Sequence, residues 1–335
     1  MFAKQDITKV QEWINTSKNI VITAHKSPDG DSIGSSLALY HFLKNIGVES
    51  TICHPDKMPY FIEWMNGTKD ILTLDKDEAI VKEKLASADL IFCLDYNTPF
   101  RIGKMTEHLV NSTAKKVMID HHQEPDTEFV DVLFSDPKNS STCQMIYEFI
   151  EELDMLEHID DNVAAPMYCG IMTDTGSFRF PSTTAKTHDI VGKLIQNGLN
   201  TAKVHENTFD TNSLSKLKLN GYAISEKLVI MPNQKVAYIS LSNQELKDLN
   251  YTKGDTEGLV NRALGINGIR MAAFFKEDEG YVKISFRGKG DNYVNILAKE
   301  NFEGGGHVYA AGGKFDGKLE DAITKYVTVV EKYVK

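Results

Sequence analysis

Four short segments hold the side chains that could do chemistry. HKSPDGD carries His25, Asp29 and Asp31; LDYN carries Asp95; IDHH carries Asp120, His121 and His122; TDTGS carries Asp174. Taken singly, each has a plain structural reading, because a lone turn aspartate is usually a cap and a lone core histidine is usually just hydrogen-bonded. Taken together they are different. Converging carboxylates repel one another unless protons or cations compensate them, and divalent metal ions are the simplest compensation. A mixed aspartate and imidazole set without thiolates favours Mn²⁺ or a similar ion over structural zinc, whereas Mg²⁺ sites usually carry fewer histidines. Two such ions about 3.5–4 Å apart would clamp a phosphoryl group, one orienting the attacking oxygen and the other steadying the charge. A carboxylate bridging the two ions is expected. Residue types alone leave open which aspartate bridges.

The elements around these segments must bring them to one place. NIVITA is β-branched and almost wholly apolar, as a strand buried on both faces should be, and it runs straight into HKSPDGD. SIGSSLALYHFLKNIG then reads as a helix stopped at Gly47. VESTICHP, ADLIFCLDYN and KKVMIDHH read as further strands, the last two ending in acids. A charged amphipathic helix is expected over 75–88 and a further one over 104–112. Strands alternating with helices predict an α/β fold with a mostly parallel sheet, and in such sheets ligands sit outside the carboxyl ends of the strands. All four acidic segments are expected at or near such ends, with Pro28 and Gly30 letting the first one fold back. Helices are expected over 142–157, 159–175 and 184–197.

The chain has 335 residues, 41% hydrophobic and 25% charged, which is long enough for two domains with sizeable cores. A first domain over 1–198, a helical connection over 199–225 and a second, smaller α/β domain over 226–335 are expected, with a substrate cleft between the two domains. In the second domain, IRMAAFFKE and YVKISFRG read as paired strands around a DEG turn. GGGHVYAAGGKF reads as a glycine-rich loop feeding a short strand, and LEDAITKYVTVVEKYV as a last helix. The net charge of −10 argues against a protein that coats long duplex nucleic acid, which would show a positive stripe. Cys53, Cys93, Cys143 and Cys169 form no CxxC pair and are expected as buried thiols in a reducing compartment. With no apolar run of signal-peptide length and none near the ~20 residues needed to span a bilayer, a cytoplasmic protein without membrane association is expected.

The ordered set HxxxDxD, LDYN, IDHH and TDTGSFRF resembles the DHH phosphoesterase family, and SFRGKG…GGGH…AAGG resembles its DHHA1 partner domain. The likeness covers nearly the whole chain and is strongest to the branch of nano-RNases and pAp phosphatases, cytoplasmic enzymes that degrade very short oligonucleotides and remove the 3′-phosphate of adenosine 3′,5′-bisphosphate (pAp). Carried over residue by residue, it implies that His25 and Asp29 bind one metal ion, that Asp31, His121 and Asp174 bind the other, and that Asp95 bridges them. It implies two Mn²⁺ ions, with Mg²⁺ or Co²⁺ as alternatives, and a water activated between them. Asp120 is expected to orient a ligand, and His122 to stand by the scissile phosphate. In the second domain, Arg287 is expected as a phosphate clamp because its fork binds phosphate oxygens in pairs, with Ser285 adding a hydroxyl. Gly304, Gly305 and Gly306 would let backbone N–H groups approach a phosphate, and His307 would contact the nucleotide. Relatives commonly read GGGGH, whereas Glu303 stands here at the first position.

Short oligonucleotides and nucleotide phosphates are therefore the expected partners, with a homodimer compatible with the sequence. The competing functions are a cyclic-dinucleotide phosphodiesterase, a single-strand exonuclease, a family pyrophosphatase (which lacks GGGH) and a non-catalytic nucleotide-binding protein. The last would be missing metal ligands, and all are present here. Phe178 and Phe180 are expected to be structural, Arg179 to touch substrate or an acid, and Tyr309 to be available for stacking on a base. Arg262 and Arg270 are expected mainly at the solvated surface.

Overall fold

The strands that precede the acidic segments are apolar at every position, and a strand of that kind must be covered on both faces. The computed structural model describes residues 2–232 and 235–335, which divide into two units, Met1–Thr211 and Asn212–Lys335. In the first, the elements follow in the order α1 (Lys4–Thr16), β1 (Ile20–Ala24), α2 (Gly30–Asn45), β2 (Ser50–His54), β3 (Leu72–Thr73), α3 (Leu74–Ser87), β4 (Leu90–Leu94), α4 (Thr106–Asn111), β5 (Lys115–Asp120), β6 (Val132–Ser135), α5 (Thr142–Glu152), α6 (Asp161–Asp174), α7 (Ala185–Gln196) and α8 (Thr201–Phe209). The six strands form one sheet in the order β3-β2-β1-β4-β5-β6, and all its described pairings are parallel.

Successive residues of β1, β4 and β5 point to opposite faces. Ile20, Ile22, Phe92 and Ile119 join a core with Leu37 and Phe42 of α2 and Met145 and Phe149 of α5. Val21, Ile91, Cys93 and Met118 join a second core with Val81 and Leu85 of α3 and Leu109 of α4. Each buried leucine or phenylalanine here contributes about 1.5–3 kcal/mol. The strand order has a functional consequence. From β1 the chain winds outward to β2 and β3, then returns to the other side at β4. The carboxyl ends of β1 and β4 thus flank the point where the winding reverses, the place where open α/β sheets bind ligands.

In the second unit the order is α9 (Leu214–Ser225), β7 (Leu228–Ile230), β8 (Val236–Leu241), α10 (Asn243–Asp248), α11 (Leu259–Leu264), β9 (Met271–Glu277), β10 (Tyr281–Gly288), α12 (Val294–Asn301), β11 (Gly305–His307), β12 (Ala310–Asp316) and α13 (Leu319–Val329). Its sheet runs β11-β12-β10-β9-β8-β7. Only the β8–β9 pairing is parallel among the described ones. Helices α12 and α13 cover one face through Leu297, Leu319 and Tyr326. Helices α9 and α11 cover the other through Leu219, Ala223 and Leu259. Both units are α/β, as expected, the first with a parallel sheet and the second smaller.

The stretch 199–225 expected as a connection holds α8 and α9, and the division between units falls inside it, after Thr211. The glycine-rich segment is not a loop feeding a short strand. Gly305–His307 is itself a strand, paired antiparallel with β12. The short apolar run VLFS forms β6 at the sheet edge, a strand absent from the sequence reading because the run is too brief to show a period. All four cysteines are free and buried; burial pushes the Cys53, Cys93 and Cys169 thiols up to about 12, which keeps them unreactive. Among the described residues no helix is long and apolar enough to cross a membrane.

Candidate functional site

His25 follows β1, Asp95 follows β4, and His121 and His122 follow β5, so three neighbouring strands deliver their side chains to one edge of the sheet. Asp95 holds the centre. Its Oδ2 lies 3.2 Å from His25 Nε2, and its Oδ1 lies 3.5 Å from His121 Nε2. Asp29 Oδ2 joins the first side, 3.7 Å from His25 Nε2. Asp31 Oδ2 and Asp174 Oδ2 join the second, 3.6 Å and 3.4 Å from His121 Nε2. One carboxylate therefore faces two separate imidazole and aspartate sets. The residues His25, Asp29 and Asp95 form one metal-sized group, and Asp31, Asp95 and His121 form another.

Three of these acids are placed by helices rather than by strand ends. Asp29 caps α2, accepting from the backbone N–H groups of Asp31 and Ser32 with Oδ1, which leaves Oδ2 to the site. Asp31 lies in the first turn of α2, and Asp174 is the last residue of α6. They meet because α2 and α6 pack almost backbone to backbone. A Cβ on Gly34 would stand 2.5 Å from the Pro166 carbonyl oxygen, and one on Gly170 would stand 2.9 Å from Asp31 Oδ1. Gly30 serves the same contact, since a Cβ there would stand 2.3 Å from Thr173 Oγ1. Gly30 is thus a packing glycine at a helix start, not the turn glycine expected from the sequence.

Each ligand-type imidazole is oriented from behind. His25 Nδ1 lies 2.8 Å from the Lys26 carbonyl oxygen and His121 Nδ1 lies 3.3 Å from that of Asn139. With Nδ1 held from behind, each Nε2 faces the site, where a bound metal ion would displace its proton and take its lone pair. Asp120 does not orient either of them. It is fully buried, accepts from the His122 backbone N–H and lies 2.7 Å from His122 Nδ1. Its task is to hold His122, the neighbour of the ligand set.

Sequence reading missed two residues. Thr142, at the start of α5, donates its hydroxyl to Asp95 Oδ1 at 3.0 Å, and the backbone N–H groups of Thr142 and Cys143 donate to the two Asp31 oxygens at 2.7 and 2.8 Å. The signal was present in the Ser-Ser-Thr run, an N-cap composition ahead of an apolar helix; Ser141 is the cap. Arg101 donates from Nη2 to His122 Nε2 at 3.2 Å. Nothing local marks it. Backbone strain collects here as well, with Asp95 at φ 61° and Ser27 at φ 55°, conformations that non-glycine residues hold only where their surroundings impose them.

The electrostatics fit cations. Burial opposes charge on His25, yet Asp29 and Asp95 outweigh it and hold the imidazole up at about 10. His121 is likewise raised against burial by Asp174, Asp95 and Asp31. Burial, then the Asp95 and Asp174 charges, push the Asp31 carboxyl well up, while the imidazoles hold Asp95 well down against burial. The cluster draws in positive charge wherever it can. Oxygen and imidazole donors without thiolate suit divalent ions of the Mn²⁺ or Mg²⁺ kind.

The second unit gathers four of the other predicted residues on one sheet face. Directly opposed residues share a face. Ser285 opposes Gly312 and Gly312 opposes Gly305, while Arg287 opposes Ala310 and Ala310 opposes His307. Ser285, Arg287, Gly305 and His307 therefore rim a platform floored by glycine and alanine. Gly304 and Gly306 are fixed by packing, since a Cβ would stand 2.2 Å from the Gly312 carbonyl oxygen or 2.8 Å from that of Ala310. A Cβ on Gly305 would meet nothing within 4 Å. Glu303 is exposed and exchanges backbone hydrogen bonds with Lys314, so its side chain leaves the hairpin intact. Tyr309 packs edge-on against Tyr293, ring centroids 6.2 Å apart, and Arg262 and Arg270 are exposed. In the first unit, Phe178 packs on the core, and Arg179 Nε turns back to the Gly176 carbonyl oxygen at 2.6 Å.

A parallel α/β unit with this acid and imidazole centre, followed by a second α/β unit, defines a metal-dependent hydrolase of the phosphoesterase class. The N-terminal domain of the DHH family matches residues 19–171, and the DHHA1 domain matches residues 233–335. The chain belongs to the DHH/DHHA1 phosphoesterase family. It is 29% identical over 309 residues to the bifunctional oligoribonuclease and PAP phosphatase NrnA of Bacillus subtilis (strain 168), covering 91% of this chain and 92% of that protein. It is 28% identical over 316 residues to the protein of the same name from Thermus thermophilus, covering 93% and 89%. The crystal structure of an exopolyphosphatase-related protein from Bacteroides fragilis is similar with a TM-score of 0.94 at 37% identity, over 99% of this chain and 97% of that one.

Proposed function

We propose that the chain hydrolyses phosphodiester bonds in oligonucleotides of two to about five residues and removes the 3′-phosphate of pAp, short substrates that need no extended positive track. The observation that carries this reading is Asp95, whose two oxygens face separate imidazole and aspartate sets. His25, Asp29 and Asp95 would hold one ion; Asp31, His121, Asp174 and Asp95 the other. Bound there, a pair of divalent cations supplies water activation and charge stabilisation at the phosphoryl group. Thr142 fixes the Asp95 carboxylate, and Asp120 fixes the His122 ring beside the reacting group. Mn²⁺ is the ion we assign, with Mg²⁺ or Co²⁺ able to substitute, in a cytoplasmic setting that keeps the thiols reduced. The relatives named for oligoribonuclease and PAP phosphatase activity support the substrate assignment.

The test is kcat/KM for pAp, linear dinucleotides, cyclic dinucleotides and oligomers up to a 24-mer, with each of the three metals. Dinucleotides and pAp should lead the panel and Mn²⁺ should give the highest rates. Equal or better efficiency on the 24-mer would sink the short-substrate reading, and a clear preference for cyclic dinucleotides would replace it with the cyclic-phosphodiesterase one.

We assign recognition of the nucleotide to the platform of the second unit, with Arg287 and Ser285 on the phosphate and His307 on the nucleotide. The glycines separate the structural from the ligand role. Gly304→Ala must displace the facing carbonyl and should cost about 1–3 kcal/mol of stability. Gly305→Leu projects into open space, so its melting temperature should stay at the wild-type value. It should still lower kcat/KM on a dinucleotide by roughly tenfold or more by filling the place of the ligand. A Gly305→Leu protein with full activity would show that the platform is not used.

A further inference from the structure

Two cations of the first unit lie on the segments that border the acidic centre and form no ion pair with its carboxylates among the described residues. Arg101 is half-buried, and its one side-chain hydrogen bond among the described residues goes to His122 Nε2, 3.2 Å away. That acceptor carries no negative charge. Asp120 Oδ1, 2.7 Å from His122 Nδ1, takes the ring proton on the other side. Arginine keeps its charge at any ordinary pH, and a charge withdrawn from water calls for a counter-charge. Lys26 follows His25 directly, and its backbone N–H donates to the Arg101 carbonyl oxygen at 2.8 Å. The Lys26 stem crosses Gly103, with Cδ 3.5 Å from where a Cβ would stand. Lys26 is exposed and likewise forms no ion pair among the described residues. Carboxylates abound nearby, yet these two side chains remain available to an anion from outside.

We propose that Arg101, supported by Lys26, binds the phosphoryl group undergoing hydrolysis, so that the catalytic unit carries its own phosphate-binding cations in addition to its metal ligands. His122 fixes the guanidinium from one side and leaves the remaining N–H donors of the fork for phosphate oxygens. Charge on those oxygens shifts as the bond to the leaving group breaks, so donors already in place stabilise the transition state more than the ground state. The inference rests on phosphoester hydrolysis at this centre, but not on the nucleotide identity proposed above.

The test compares wild type with Arg101→Gln, Arg101→Lys and Lys26→Gln. It measures kcat/KM on a dinucleotide and on bis(p-nitrophenyl) phosphate, and it measures Mn²⁺ affinity and orthophosphate affinity of the Mn²⁺-loaded protein by calorimetry. Arg101→Gln should lower kcat/KM about 100-fold on both substrates, and weaken orthophosphate about tenfold, with Mn²⁺ affinity kept within about twofold. Arg101→Lys should recover part of each loss, and Lys26→Gln, on an exposed side chain, should cost roughly threefold on both substrates. Unchanged orthophosphate affinity in Arg101→Gln would overturn the proposal, leaving Arg101 as a residue that only positions His122. A parallel loss of Mn²⁺ affinity, or a loss confined to the dinucleotide, would overturn it equally. If the wild type ignores dinucleotides while Arg101→Gln still suppresses the generic diester, the nucleotide assignment fails and this inference stands.

Discussion

In the proposed two-ion centre, Asp95→Asn should abolish turnover, with kcat lowered by at least about 1,000-fold even at saturating Mn²⁺, because one substitution would remove a ligand from both ions. Asparagine is the informative replacement. Asp95 sits at φ 61°, a left-handed conformation that asparagine tolerates and that costs other residues roughly 1–2 kcal/mol. The amide can also keep the Thr142 hydrogen bond, now made to Asp95 Oδ1 at 3.0 Å. The loss is therefore one of charge and ligation, not of backbone geometry. Calorimetry should show Mn²⁺ binding weakened by at least about 100-fold, while the circular dichroism spectrum is retained. Rates within tenfold of wild type under saturating Mn²⁺ would refute a bridging Asp95.

Arg287→Ala divides substrates by whether they carry a nucleotide. On a 5′-phosphorylated dinucleotide, kcat/KM should fall about 100-fold, the equivalent of roughly 2.7 kcal/mol, in the range for charge-assisted hydrogen bonds to a phosphate. On bis(p-nitrophenyl) phosphate the change should stay within about threefold, because its one phosphate is the scissile one and it carries no nucleoside or second phosphate for the platform to hold. Arg287 lies on β10 with Ser285, on the face that also carries His307, and Nη1 rests on the Phe286 carbonyl oxygen at 2.9 Å. That contact sets the direction of the guanidinium ahead of ligand. Arg101→Gln should harm both substrates alike, so the two arginine variants together tell recognition from chemistry. An unchanged dinucleotide rate in Arg287→Ala would remove the clamp from the account.

Much of this was legible in the residues. A continuous apolar run such as IVITA or LIFCL can only be a strand covered on both faces, and the acid or histidine that follows it must then lie at a sheet edge. The order of motifs carried the family likeness for the same reason: each is a local strand-to-loop unit whose form depends on its own few residues. The GGGH segment escaped this logic. Its glycines hide the alternation that marks a strand, and only pairing with β12 makes it one.

What the tertiary structure alone decided is the geometry between motifs. No local pattern says that β1 and β4 are neighbours with the winding reversed between them, yet that order brings His25 and Asp95 within 3.2 Å. No local pattern says that Gly34 and Gly170 let α2 and α6 touch, yet that contact carries Asp31 and Asp174 to the same imidazole. Arg101 is the extreme case, an unremarkable residue in PFRIG that acquires meaning only because His122 lies 3.2 Å away. Secondary structure follows from interactions between residues close in the chain, whereas a metal centre is an arrangement of atoms from distant segments, set by sheet order and by how closely two helices can approach.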